Sequence, residues 1–149
     1  MSTRTLRTSV DPPRAIDADD EAPLLDVLRR ELRVRSAARG CQDGSCGSCR
    51  VLVNGALVSS CRLPWGDVPD GALVEAYESL AGERAVVRAV DAFEAERPTR
   101  CKMCVGALGV TAAALARATP ERPLTLEDAL ADATCMCTGR GSWRRALTR

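Results

Sequence analysis

The first part of the chain alternates short apolar runs with turn-forming residues, a pattern that predicts strands. Residues 3–10 and 14–17 are strand candidates. Asp11-Pro12-Pro13 lies between them and favours a turn, because proline fixes φ and removes a hydrogen-bond donor. Residues 73–77 are a further strand candidate and follow a loop over 64–71. These segments predict a small sheet.

One helix and one hairpin are predicted within the same part. Pro23 favours a helix start, and leucines then recur every four residues from Leu24 to Leu32, which indicates a core-facing stripe. Residues 50–53 and 56–58 predict a hairpin around Asn54-Gly55. That pair favours a type I′ turn, whose twist matches the twist of the flanking strands.

The periodicity becomes helical after Gly82. Thr125 and Asp128 have the spacing of a relaxed capping box, which marks a helix start. The predicted helices cover 86–93 (ended by Pro98), 105–118 (closed by Pro120), a segment beginning at Thr125, and 142–148. The predicted fold class is therefore α+β, with one domain over 1–80, an all-helical domain over 81–149, and a boundary near 78–83.

Charge and composition exclude several functions. The 149 residues carry a formal charge of +1, so no strong field favours nucleic acid or an anionic membrane. No apolar run is long enough to span a bilayer, and residues 1–20 lack the apolar core of a secretion signal. Histidine is absent, which excludes mixed Cys/His zinc sites, Rieske ligation and histidine acid–base catalysis. We expect the eight cysteines to be metal ligands in a reducing cytoplasm.

Three cysteines have the spacing C-x4-C-x2-C, and a fourth follows after eleven intervening residues. This is the plant-type [2Fe–2S] ligand pattern, in which a tight loop supplies three thiolates and a hairpin returns the fourth. Glycines in the loop allow sharp bends and a close approach of backbone N–H groups to sulfur. A structural zinc site is the main alternative. The candidate ligands are Cys41, Cys46, Cys49 and Cys61, and the loop glycines are Gly40, Gly44 and Gly47.

Four further cysteines have the spacing C-x2-C, thirty residues, C-x-C. Each pair precedes a predicted helix, so two helix N-termini with their partial positive charge can face one anionic centre. Taken alone, this pattern fits an all-cysteine zinc site nearly as well as an iron–sulfur cluster, and reactive thiols or a disulfide are further alternatives. The candidate ligands are Cys101, Cys104, Cys135 and Cys137.

The two motifs in this order resemble the two-cluster [2Fe–2S] small subunit of the molybdenum hydroxylases, the xanthine dehydrogenase, aldehyde oxidoreductase and carbon monoxide dehydrogenase family. The resemblance extends from Pro23 through Val51-Leu52-Val53-Asn54-Gly55 to Cys135-Met136-Cys137-Thr138-Gly139. It implies a β-grasp ferredoxin-like domain followed by a four-helix-bundle-like domain, each with one cluster. It also implies that electrons pass from molybdopterin in a large partner subunit through both clusters to FAD in a medium subunit, or to an external acceptor.

The resemblance implies no catalytic residue in this chain, which would transfer electrons within an oxidoreductase complex and bind no substrate. The sequence leaves two alternative functions open. One is a stand-alone two-cluster ferredoxin, and the other is a non-enzymatic zinc or iron–sulfur module for interaction or sensing. The segment from Arg100 to Ala107 departs from the family pattern, in which Gln-Cys-Gly-aromatic-Cys-Thr-Pro-Gly is common. This departure puts the usual molybdopterin contact in question.

Overall fold

The computed structural model describes residues 1–41, 43–96 and 101–149. Its strands are β1 (Ser2–Arg7), β2 (Arg14–Ala18), β3 (Arg50–Val53), β4 (Ala56–Ser59) and β5 (Ala72–Glu75). Its helices are α1 (Leu24–Glu31), α2 (Tyr77–Leu80), α3 (Arg84–Glu96), α4 (Val105–Ala116), α5 (Leu126–Ala131) and α6 (Gly139–Leu147), with a short 3₁₀ turn at Trp65–Asp67. The fold is thus mixed, with the strands in the first half and most helices in the second.

The five strands form one sheet in the order β2-β1-β5-β3-β4. β1 and β5 are parallel, whereas the other neighbouring pairs are antiparallel. Asn54 and Gly55, between β3 and β4, have φ values of 50° and 81°. Positive φ at both positions confirms the predicted type I′ hairpin. The Asn54 side chain also accepts a hydrogen bond of 2.9 Å from the Leu73 N–H, which ties the turn to β5.

Helix α1 covers one face of the sheet. Its leucines at 24, 25 and 28 are fully buried, as the predicted stripe requires, whereas Leu32 caps the end of the helix and is half-buried against the same core. Trp65 is fully buried in the same core, and its indole N–H donates to the Ser2 carbonyl over 2.9 Å. The core of the first half is thus formed where the apolar face of the amphipathic helix α1 packs against the sheet.

Helix α4 is the most buried helix of the second half. Ten of its 12 residues are buried, because α3 packs on one side of it and β3 of the sheet on the other. Phe93, Leu108, Leu130 and Trp143 form the core between the helices. No helix in the described ranges is long and apolar enough to cross a membrane.

The two halves are joined by a shared apolar cluster that includes Leu52 of β3, Leu80 of α2 and Val110 of α4. An ion pair extends this junction. Arg117 donates to the Glu75 carboxylate at 3.0 Å and also binds Glu83. The sheet and the helices are therefore held in one fixed arrangement by packing and by charge.

The first cysteine loop adds a second junction. The Thr134 N–H donates to the Cys46 carbonyl over 3.0 Å, so the loop contacts the segment between α5 and α6. Gly47 has a φ of 70°, and a Cβ at this position would overlap the Asp132 carbonyl oxygen. The close approach of the two segments thus requires glycine at position 47.

Most predicted elements are present in the structure, but several of their ends differ. The strand predicted over 73–77 ends at Glu75, and Tyr77 begins α2. Glu78 explains this end, because its carboxylate accepts the backbone N–H groups of residues 35 and 36 at 2.9 Å and so fixes α2 against the loop after α1. The first strand ends at Arg7, and the last helix begins at Gly139 instead of Ser142. The predicted helix end at Pro98 lies outside the described residues.

We expect Gly47→Ala to destabilise the protein more than Gly71→Ala. Gly71 has a φ of 75° with open space around it, so alanine there costs only the left-handed backbone strain of roughly 1–2 kcal/mol. At Gly47 the same strain is combined with the overlap on Asp132. Urea unfolding followed by circular dichroism measures both free energies. Equal losses would show that the contact between the two segments is not tight.

Candidate functional site

Three of the first four cysteines lie in the loop between α1 and β3, and the fourth, Cys61, follows β4. Cys46 and Cys49 are buried, whereas Cys41 and Cys61 are half-buried. The hairpin of β3 and β4 carries the chain out and back, so that Cys61 N–H reaches Cys49 Sγ at 3.4 Å. Residues 12 positions apart in the sequence are thus adjacent in space.

Backbone N–H groups point at the sulfurs of this loop. Cys46 N–H donates to Cys41 Sγ and Ser48 N–H donates to Cys46 Sγ, each over 3.4 Å. Gly44, with a φ of 84°, turns the chain between Cys41 and Cys46. At Gly40 a Cβ would lie 2.8 Å from Cys46 Sγ. The loop backbone therefore lies against the sulfurs with no room for a side chain at position 40.

The pKa values of Cys61 and Cys41 respond to the neighbouring cysteines. Burial raises the pKa of Cys61 to about 12, with further contributions from Cys49, Cys41 and Cys46. Burial also acts against the Cys41 thiolate, but hydrogen bonds from Cys46 and from the Asp43 backbone outweigh it, so the pKa of Cys41 is lowered. The four thiols are thus close enough to repel one another when charged.

The other four cysteines flank two helix starts. Cys104 is the residue before α4 and is buried, and Cys135 is buried shortly before α6. Cys101 and Cys137 are exposed. Thr138 N–H donates to Cys135 Sγ over 3.3 Å. The prediction that each pair precedes a helix is confirmed.

The buried pair in this group is close together. Burial raises the pKa of Cys104 to about 12; Trp143 opposes this rise, whereas Cys135 and Cys101 add to it. Burial also acts on Cys135, but the Thr138 hydroxyl, the N–H groups of residues 137 and 138, and Cys104 outweigh it and lower its pKa. Cys101 and Cys135 therefore lie near enough to Cys104 to affect its pKa. The exposed Cys137 follows Cys135 by two residues.

The segments that carry the two cysteine groups are in contact. Thr134, adjacent to Cys135, donates its N–H to the Cys46 carbonyl. On the other side, a Cβ at Gly40 would lie 3.3 Å from the methyl carbon of Met103, which precedes Cys104. The first loop thus contacts both segments that carry the second group of cysteines.

Two buried donors near the cysteines have no acceptor at hydrogen-bond distance among the described residues. They are the Ser48 hydroxyl and the indole N–H of Trp143. A Cβ at Gly40 would lie 3.2 Å from Ser48 Oγ and 2.8 Å from Cys46 Sγ. Trp143 is close enough to Cys104 to oppose the rise in its pKa. Buried donors in native proteins are normally paired.

The donor set fits an iron–sulfur cluster. The cysteines supply thiolates, and the sulfides of a cluster are acceptors for the two unpaired donors. No three His, Cys, Asp or Glu side chains in the described part of the chain are placed to hold a single metal ion.

Sequence reasoning missed three residues of this region, namely Ser48, Arg50 and Trp143. Ser48 and Arg50 flank Cys49, and both are buried although they are polar. In the sequence, only the charge of Arg50 at the start of the apolar run Val51-Leu52-Val53 could have drawn attention to this residue. Trp143 lies far from the first loop in sequence, so its position became visible only in the fold.

Known proteins are similar to this chain in sequence and fold. Residues 9–81 match the 2Fe-2S iron-sulfur cluster binding domain. The nicotine 6-hydroxylase small subunit of Paenarthrobacter nicotinovorans is 31% identical over 85% of this chain and 76% of its own length. The xanthine dehydrogenase iron-sulfur-binding subunit of Escherichia coli O157:H7 is 30% identical over 85% of this chain and 80% of its own length.

A solved structure agrees with these relatives. The aldehyde oxidoreductase from Desulfovibrio desulfuricans superposes with a TM-score of 0.79 and 26% identity over 99% of this chain. This chain corresponds to 16% of that longer polypeptide.

A ferredoxin-like fold with four cysteines in the 2Fe–2S ligand spacing defines an iron–sulfur protein of the electron-transfer class. More closely, the chain belongs to the family of iron–sulfur small subunits of xanthine dehydrogenase and related molybdenum hydroxylases. It is an electron-transfer 2Fe–2S subunit of an oxidoreductase.

Proposed function

We propose that the chain binds two [2Fe–2S] clusters and passes electrons between them. Cys41, Cys46, Cys49 and Cys61 hold the first cluster, and Cys101, Cys104, Cys135 and Cys137 hold the second. A bound cluster supplies reversible one-electron chemistry. The chain itself provides thiolates, N–H donors and exclusion of water from the buried sulfurs.

The contact between the two cysteine groups is the observation that carries this proposal. The N–H of Thr134, the neighbour of Cys135, bonds directly to the carbonyl of Cys46, a proposed ligand of the first cluster. Electron transfer needs short distances between centres that are held rigidly. The packed junction around Leu52 and Val110 supplies the rigidity.

Hydrogen bonds to sulfur favour the reduced state of each cluster, because that state carries one more negative charge. The N–H groups of Cys46, Ser48 and Cys61 provide this stabilisation in the first loop. Thr138 N–H provides it at Cys135. The Ser48 hydroxyl and the Trp143 indole are the further donors, one for each cluster.

The exposure of the cysteines indicates the direction of the relay. Cys101 and Cys137 are exposed, and Met136 between the last two cysteines is 66% exposed. This surface fits a large partner subunit with molybdopterin, from which electrons arrive at the second cluster. The first cluster then passes them to FAD in a medium subunit or to an external acceptor. The chain makes no bond to the substrate of the complex.

The domain organisation of this proposal is a ferredoxin domain over 1–80 and a four-helix-bundle-like domain over 81–149. It is supported by separate cores around α1 and around α4, and by the end of the family match at residue 81. Eight cysteines in metal-ligand spacings suit a reducing cytoplasm, where thiols are kept reduced.

Metal analysis tests the two-cluster proposal. We expect about four irons and four acid-labile sulfides per chain, and two distinct EPR signals after reduction. Cys49→Ser should remove only the signal of the first cluster, and Cys104→Ser only that of the second. Two zincs without sulfide would contradict the proposal and would favour a zinc-stapled module.

Removing a buried donor should lower the midpoint potential of the nearer cluster. We expect Trp143→Phe to lower the second midpoint and Ser48→Ala to lower the first, each by some tens of millivolts for a hydrogen bond worth about 1 kcal/mol. EPR-monitored redox titration measures both midpoints. Ser79→Ala is the control, because Ser79 bonds only to the Ala76 carbonyl among the described residues. Unchanged midpoints would show that the two donors do not reach the clusters.

Purification from the native host tests the partner. We expect the chain to co-purify with a large subunit that contains molybdopterin, and the complex to lose reduction of its electron acceptor when Cys104 is replaced by serine. A chain that purifies alone with both clusters loaded would instead support a stand-alone ferredoxin.

A further inference from the structure

Arg50 is a buried cation at the junction of the two halves. It is the first residue of β3, directly follows Cys49, and is only 5% exposed. Its Nη1 donates to Thr111 Oγ1 at 3.1 Å and to the Ala129 carbonyl at 2.6 Å. Both acceptors belong to the helical half. The guanidinium therefore extends from the first cysteine loop into the helices α4 and α5.

The charge of Arg50 faces the first cysteine group. The negative or ionisable groups that act on it are, in order of strength, the carboxylate of Asp132 and the thiols of Cys49 and Cys46. Arginine stays protonated in proteins, so burial does not neutralise it. A buried cation is costly unless anionic groups surround it. Thiolate ligands of a cluster are anionic groups of this kind.

Arg50 also lies close to the second group. Its guanidinium carbon lies 5.9 Å from the centroid of the Trp143 ring, a distance at which cation and ring attract each other. Trp143 in turn faces Cys104. The contacts thus run from Cys49 to Arg50, Trp143 and Cys104. Arg50 directly follows Cys49 in the chain, whereas the contact with Cys104 is made by Trp143.

We propose that Arg50 tunes the relay by stabilising the reduced state of the first cluster more than that of the second, so that electrons are drawn from the second cluster to the first. This inference rests on the two clusters proposed above. Reduction adds one electron and one negative charge to a cluster, and a fixed cation in a low-dielectric interior favours the added charge. Arg50 does not itself gain or lose an electron or a proton.

If Arg50 only joined the two halves, its hydrogen bonds would matter and its charge would not. Three variants separate this structural role from the electrostatic one. Arg50→Gln removes the charge, whereas Arg50→Lys keeps it and loses the planar donor group. Thr111→Val removes one hydrogen bond to Arg50 and no charge. Arg117→Gln is the matched control, because Arg117 also joins the halves but pairs with Glu75 and Glu83.

The test is an EPR-monitored redox titration of the fully loaded chain, with iron and sulfide measured for every variant. In Arg50→Gln we expect the reduced-to-oxidised ratio of the first cluster at a fixed potential to fall about tenfold, which equals about 59 mV for one electron. The second midpoint should move less. Arg50→Lys, Thr111→Val and Arg117→Gln should retain the wild-type first midpoint to within a small fraction of that shift.

Two results would overturn the role of Arg50. They are an unchanged first midpoint in Arg50→Gln with both clusters present, and equal shifts in Arg50→Gln and Thr111→Val. If Arg50→Gln does not fold, Asp132→Asn replaces it. Removing this exposed counter-charge should raise the first midpoint, and no change would also overturn the proposal. A wild-type chain without two clusters would instead refute the proposed function.

Discussion

Collecting thiols in a buried loop is electrostatically unfavourable unless positive charge or hydrogen-bond donors surround them. Charged thiols repel one another, and burial penalises each thiolate further, as the raised pKa values of Cys61 and Cys104 show. The chain meets this constraint with backbone N–H groups in the first loop, a helix start beside each pair of the second group, and the buried cation Arg50. These donors and this cation offset the cost of burying the thiols in both groups.

The sheet and helices supply the rigidity that such a site requires. Helix α1 packs its leucines on one face of the sheet, and the type I′ turn at Asn54-Gly55 returns the chain with a fixed register. Helix α4 packs between the sheet and the other helices. The two cysteine groups therefore cannot move apart without breaking an apolar core, and this property suits a relay between two centres.

Local signals in the sequence were sufficient for most elements. Asn54-Gly55, the leucine stripe of α1 and the capping box at Thr125 are short-range patterns, and the structure contains all three. The end of β5 was predicted wrongly, because it depends on Glu78 binding the backbone 42 and 43 residues earlier. Gly139 was predicted to precede its helix but begins it.

The sequence by itself determined the class of the protein, because the spacing of the cysteines is a local property of two loops and their flanking elements. Tertiary structure alone decided the relation between the two groups. The bond from Thr134 to Cys46, the placement of Trp143 beside Cys104, and the reach of Arg50 to Ala129 each join segments that are distant in the sequence. Such contacts depend on how the sheet and the helices pack, which neither spacing nor periodicity encodes.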